Sequence, residues 1–324
     1  MKVLITGATG FIGGKLAERL MPQADELVLL VRPGTAASRY ARFAEAGARI
    51  EPVALHEPEA LRRVFSAHRF DVVYHLAALR GGRPFPRADY FASNVIATEL
   101  LAREAAGQKA RFVFCSSVGI WGAIPRELPA GESTPRQGDS YYHYTKIEAE
   151  ARLRVLARDG LEVVIVRPVI TYGTGDYGFP YSLIKLIDQG LFVRCSRDVQ
   201  IHLGDVQVLA DAFVRAARAD VPPGSAYTVA DREPVCLRDL VDLISRRLKG
   251  RAYPRWKCLP GPVFDLASVA AGKLAKNEVW KARFELISKS WYYNVVPAQR
   301  DLKLDLADTL ERFGYVVDAY LGEA

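Results

Sequence analysis

The chain has 324 residues, 50% hydrophobic and 25% charged, with 25 Gly and 18 Pro, which excludes collagen-like, disordered and low-complexity readings and is long enough to bury a core without staples. Cys115, Cys195, Cys236 and Cys258 lie far apart, with no Cys-x-x-Cys and no His at ligand spacing, and read as reduced, buried thiols of a cytoplasmic protein, not a disulfide or zinc framework. Lys and Arg number 44 against 37 Asp and Glu, a net +7, which suggests an anionic ligand or surface.

In chain order, short apolar runs at Lys2–Thr6, Glu26–Val31, 71–76, 111–116 and 161–166 predict strands buried on both faces. Helical-period segments at 13–20, Pro58–Ala67, 94–106 and 142–157 alternate with them. Such alternation predicts right-handed crossovers and an α/β doubly wound parallel sheet of the Rossmann type over residues 1–170. Beyond Tyr172 the alternation weakens to a helix at 206–219, a strand at 226–229 and a helix at 237–248. Residues 200–230 are expected to return to the first domain, and 171–199 with 231–324 to form a smaller substrate domain. No run reaches the roughly eighteen apolar residues of a spanning helix, and a strand pattern at Lys2 leaves no room for a signal peptide.

After the first strand comes Gly7-Ala8-Thr9-Gly10-Phe11-Ile12-Gly13, where a helix should open. A helix N-terminus offers unpaired N–H groups and the positive end of the dipole, so a pyrophosphate sits there well if no side chain blocks it. The spacing differs by one residue from the Gly-x-Gly-x-x-Gly dinucleotide fingerprint, while Leu16 after Lys15 excludes a Walker-type loop. The second strand runs into Arg32, with Arg39 beyond and no acid between. A carboxylate there would accept the ribose hydroxyls of NAD, whereas a guanidinium pairs a 2′-phosphate. NADP(H) is therefore the favoured cofactor and NAD(H) the alternative.

A Tyr-x-x-x-Lys pair places a phenol and an ammonium on one helix face. It occurs at Tyr142/Lys146, Tyr181/Lys185 and Tyr253/Lys257. Pro254 disfavours helix at Tyr253, and Tyr181 has no hydroxyl partner upstream at a strand end. Only Tyr142 opens a helix after a strand whose carboxyl end carries Ser116 and Ser117, where active sites of open parallel sheets lie.

These residues resemble the extended short-chain dehydrogenase/reductases, also called the NAD-dependent epimerase/dehydratase family. The resemblance runs through the opening turn from Thr6 to Gly13, the strand from Asp71 to Ala78, and the helix start from Asn94 to Thr98. It continues through the strand from Phe114 to Gly122, Tyr142 to Lys146 with Glu150, and the sixth strand from Arg167 to Gly173. The resemblance implies Ser117, Tyr142 and Lys146 as catalytic residues. It also implies a cofactor site of Gly7, Thr9, Gly10, Phe11, Ile12, Gly13, Arg32, Leu76, Ala77, Ala78, Asn94, Tyr142, Lys146, Pro168 and Val169. In the family the Lys also holds the nicotinamide ribose and the Ser bonds the substrate oxygen. An ammonium about 4 Å from the phenol would supply roughly 4 kcal/mol at an effective dielectric near 20, before desolvation is subtracted, moving the Tyr142 pKa toward neutrality.

Dehydratases of this family carry an acidic pair after the active-site Ser or Thr, where this chain has Val118 and Gly119. Arg197 stands one residue out of register with the epimerase arginine that pairs a substrate diphosphate. The expected activity is therefore NADP(H)-dependent interconversion of a carbonyl and a secondary alcohol on a fairly large, mainly apolar small-molecule substrate. In character the chain is nearest to dihydroflavonol-reductase-like and 3β-hydroxysteroid-dehydrogenase-like members. The alternatives are a nucleotide-sugar epimerase with bound NAD and a non-catalytic NADP-binding sensor. His75, His143 and His202 read as structural, and no metal site is seen. A homodimer fits the family's habit of pairing through helices beside the active site.

Residues 249–300 hold ten Lys or Arg against three acids, which accounts for the whole +7, and include Trp256, Trp280 and Trp291. Val263, Leu266, Ala267, Ala270 and Leu274 fall on one helical face flanked by Lys257, Lys273 and Lys276. Such a face more often covers a substrate cleft; peripheral membrane contact is the second reading. No recognition motif for nucleic acid accompanies the charge.

Overall fold

The computed structural model describes residues 1–80, 85–274 and 278–323; Lys276, and the side chain of Leu274, lie outside what is described. Seven parallel strands form the central sheet: β1 (Lys2–Thr6), β2 (Glu26–Val31), β3 (Arg49–Pro52), β4 (Val72–His75), β5 (Arg111–Cys115), β6 (Val163–Pro168) and β7 (Ser225–Val229). Their order across the sheet is β3-β2-β1-β4-β5-β6-β7. The order reverses between β1 and β4, which opens the crevice at their carboxyl ends where ligands of such sheets bind.

Alternation along each strand sends side chains to opposite faces. Val3 and Ile5 of β1 therefore join Leu16 and Leu20 of α1 (Phe11–Leu20) in one core layer. Leu4 joins Leu61 and Phe65 of α2 (Pro58–Ala67), Leu101 of α3 (Ala97–Gly107) and Leu153 of α4 (Tyr141–Arg158) in the other. Each such side chain, fully buried, contributes about 1.5–3 kcal/mol. α5 (Val206–Arg218) returns to the first layer, its Arg19–Asp211 pair with α1 closing at 2.9 Å.

Most predicted elements lie within two residues of their observed bounds, but three expectations are corrected. β3 was not anticipated, because only its pairing with β2, not its exposed charged pattern, marks it as a strand. The strand expected at 161–166 is shifted to Val163–Pro168, since Leu161 N–H still closes the turn after α4 on Leu156 O at 2.9 Å. The four cysteines are free, but half-buried instead of buried. Beyond β6, the short strand Ile170–Tyr172 pairs with Leu203–Asp205, α6 (Leu237–Lys249) follows β7, and buried Asp231 ties this region together. Its carboxylate accepts from Tyr172 Oη at 2.7 Å, Thr309 Oγ1 at 2.6 Å and the Asp205 N–H at 3.0 Å.

Candidate active site

The glycine turn is shaped by close backbone approach. Gly7 sits at φ +79°, and a Cβ there would stand 2.6 Å from Ala77 N, while one on Gly13 would strike the Gly7 carbonyl. Among the described residues no side chain caps the N-terminus of α1, and its first turn carries no acid, so the donors there suit a ligand. An uncapped helix start behind a turn that tolerates no Cβ fits a dinucleotide pyrophosphate. Leu76 and Ala77 close over Gly7 from the end of β4. Arg39 Nη2 donates to Thr9 O at 2.9 Å, and Arg32 is exposed just past β2. Pro168 and buried Val169 lie at the carboxyl end of β6.

A chain of hydrogen bonds runs from this turn to the active helix. His75, at the end of β4, meets Thr6 Oγ1 at 2.7 Å through Nδ1 and Thr98 Oγ1 at 2.9 Å through Nε2. Thr98 donates to Asn94 O at 2.7 Å. Burial first, and the Lys146 charge second, push the imidazole down to about 3, so it stays neutral. Asn94 sits in a wide, π-type turn ahead of α3. Three hydrogen bonds hold its amide: Oδ1 accepts from Leu79 N at 2.8 Å, and Nδ2 donates to Leu79 O at 2.9 Å and Thr145 Oγ1 at 3.0 Å. It therefore pins the loop after β4.

Ser117 follows β5 and caps the short turn Val118–Trp121, its Oγ accepting from Gly119 N at 3.0 Å. Ser140 caps α4 by accepting from His143 N at 3.1 Å, which fixes the start of the helix and brings Tyr142 to Ser117. One turn on, buried Lys146 donates from Nζ to Cys115 O at 2.8 Å and stands 6.0 Å from the centre of the Tyr142 ring.

The lowering expected for the Tyr142 phenol is outweighed by burial, which pushes it above its ordinary range; the Cys115 thiol adds to this, and Arg80 and a hydrogen bond with Ser117 only partly offset it. Lys146 is held on the Cys115 carbonyl, and burial pulls its own pKa down. Of the other Tyr-x-x-x-Lys pairs, Lys257 donates to Gly190 O and Tyr253 to Phe192 O, while Tyr181 packs on Tyr177 and Tyr320.

Behind the site lies a buried ion-pair cluster. Arg167 Nε and Nη2 reach both oxygens of Glu150 at 2.8 and 2.7 Å, and Nη1 reaches Glu132 at 2.5 Å. Ser116 Oγ donates to Glu150 Oε1 at 2.6 Å, so the cluster joins β5, β6 and α4 directly under Ser117.

His143 pairs with Asp139 and covers Gly119 so closely that a Cβ there would strike its ring. His202 donates from Nε2 to Asp231 O at 2.8 Å and accepts from Tyr293 N at 3.2 Å. Arg197 is engaged by both oxygens of Asp265, at 3.0 and 2.5 Å.

Sequence reasoning missed Arg80 and Asp176. The Arg80 carbonyl accepts from Tyr90 Oη at 2.9 Å, and its charge bears on Tyr142, Cys115 and Asp176. Asp176 accepts from Gly178 N at 2.9 Å through Oδ1, while its buried Oδ2 has no hydrogen-bond partner among the described residues, and burial raises its pKa. Neither position belongs to a local motif; only the loops after β4 and after Tyr172 bring them to the crevice.

Residues 3–230 match the model of the NAD dependent epimerase/dehydratase family. A UDP-glucose 4-epimerase from Erwinia amylovora is 30% identical over 208 residues, spanning 58% of this chain and 61% of that protein. A 4-hydroxy-2-methyl-3-oxo-4-farnesyl-3,4-dihydroquinoline-1-oxide ketoreductase from Stigmatella aurantiaca is 26% identical over 255 residues, spanning 75% and 72%. The solved UDP-glucose 4-epimerase of Thermotoga maritima superposes with a TM-score of 0.78 at 18% identity, covering 100% of this chain and 99% of that one, which shows a shared fold.

Proposed function

The chain belongs to the NAD dependent epimerase/dehydratase family, and within it we propose an NADP(H)-dependent reductase that converts a ketone on a large, mainly apolar substrate to a secondary alcohol. One observation carries the reading: residues 31–39, at the rim of the glycine turn, contain Arg32 and Arg39 and no acid. Guanidinium groups there suit a 2′-phosphate, and a carboxylate for the ribose of a retained NAD is missing. Arg197 is spent on Asp265 instead of standing ready for a diphosphate. His143 fills the space over Gly119 that an acidic dehydratase residue would need. The Stigmatella relative is named for a farnesyl-bearing ketone, which agrees with an apolar substrate.

When bound, the dinucleotide supplies the hydride. Ser117 then holds the substrate oxygen by a hydrogen bond, and Tyr142, kept protonated by its burial, donates the proton to that oxygen. Lys146 would hold the nicotinamide ribose and place a positive charge beside the phenolate left behind. Arg80 and Asp176 face the same crevice and recognise polar groups beside the ketone. Four free cysteines suit a reducing, cytoplasmic compartment.

The test is titration of the purified chain with NADPH and NADH, then incubation with ketones and with nucleotide sugars. Tighter NADPH binding and ketone-dependent oxidation of NADPH are expected. Tightly held NAD with nucleotide-sugar epimerisation would overturn the proposal.

A further inference from the structure

We propose that α7 (Gly261–Val269) and α8 (Glu278–Ser288) form a docking surface for an anionic lipid bilayer, a property that stands whether or not the substrate is a ketone. Val263, Leu266 and Val269 recur every three residues on α7 and are exposed, Leu266 by 72%. The opposite face, with Gly261, Phe264 and Ser268, is the one that packs inward. Just before α7, Trp256 is 79% exposed, and Trp280 on α8 is half exposed. An uncovered apolar stripe between two exposed indoles is an interaction surface, not scattered surface hydrophobicity.

Charge selects the occupant. Residues 249–300 carry ten basic residues and three acidic ones; Lys289 pairs with Glu285 and Arg300 with Asp301, and among the described residues the cations beside the stripe are Lys257, Lys273, Lys281 and Arg283. Lys257 Nζ stands 5.2 Å from the Trp256 ring centre and the Arg283 guanidinium 4.9 Å from that of Trp280. A second copy of the chain would bring this basic surface against itself, which repels; an anionic bilayer attracts it. Indoles paired with cations beside an apolar stripe suit the boundary between headgroups and acyl chains. α7 has nine residues, far short of a span, so it lies along the surface. The Lys281 charge on α8 bears on Asp139, the partner of His143, so the docked face borders the catalytic crevice.

The experiment is flotation of the full chain with phosphatidylcholine vesicles, with and without phosphatidylserine, at low and high salt. The native chain should float with the phosphatidylserine vesicles alone, and less at high salt. Leu266→Glu and Trp256→Ala, both at exposed positions, should each weaken binding roughly tenfold or more with cofactor titration unchanged. A native chain that stays in the soluble fraction with phosphatidylserine at low salt overturns the proposal. So does Leu266→Glu or Trp256→Ala floating as well as native. Loss of a dimer in Leu266→Glu without any flotation of native chain would assign the stripe to a second copy, and overturns it too.

Discussion

Asn94 Nδ2 donates to Thr145 Oγ1 at 3.0 Å, and Thr145 in turn donates to the Tyr142 carbonyl at 2.7 Å. With His75 and Thr98, these bonds join the glycine turn at Thr6 to the first turn of α4. The two halves of the crevice therefore share one buried polar chain, and a change at either end is felt at the other.

Removing the middle of that chain should cost both stability and rate. Asn94→Ala leaves the Leu79 backbone groups and Thr145 short of partners, at about 1–3 kcal/mol for a buried unsatisfied group. Urea unfolding should show that loss, and kcat should fall as Tyr142 loses its anchor; an unchanged midpoint and kcat would mean the chain is not a support.

Tyr142 is held protonated by burial, so its acid form persists above the ordinary tyrosine value of about 10. The kcat for ketone reduction should stay level through neutral and mildly alkaline pH, and alcohol oxidation should require high pH. Tyr142→Phe should lower kcat by roughly a hundredfold or more while leaving NADPH affinity nearly intact. A reduction profile that collapses near neutrality in the native chain, or retained activity in the variant, contradicts this role.

His75 and His202 give the fold an acid sensitivity. Their folded values, about 3 and about 4, lie below the ordinary 6.5, because burial disfavours the charged ring. Unfolded chains take up protons below about 6.5 while the folded chain does not, so stability is full above that pH and is lost as pH falls toward 3. The loss should reach a few kcal/mol, on the order expected of shifts this large. Urea midpoints across this range check it; His75→Asn should flatten the slope, and a native slope of zero would contradict the neutral assignment.

Arg32 is exposed just past β2. Arg32→Ala should therefore leave thermal stability unchanged, weaken NADPH roughly tenfold or more, and leave NADH binding nearly as it was. Equal losses for the two cofactors would remove the 2′-phosphate role.

Buried periodicity made much of this molecule legible. β1, β2 and α2 match their sequence reading to the residue, because continuous apolar runs and an amphipathic helix leave few alternatives. The glycine turn was legible because only glycine can occupy a site as close to backbone as Gly7 or Gly13. β3 was not, since an edge strand of exposed charges has no apolar run to read. Ser117, Tyr142 and Lys146 could be picked out by their place after β5, but the hold of Lys146 on the Cys115 carbonyl is a tertiary contact across thirty-one positions. Arg80 and Asp176 come within electrostatic reach only through folding, and no spacing rule anticipates them.

Ketone reduction through Tyr142 would consume one reduced cofactor per turnover. The most direct measurement follows NADPH and product together while the native chain and Tyr142→Phe are given an apolar ketone. One secondary alcohol formed for each NADPH oxidised by the native chain, and none by the variant, is the predicted result. A native chain that leaves NADPH untouched yet interconverts two nucleotide sugars would contradict it.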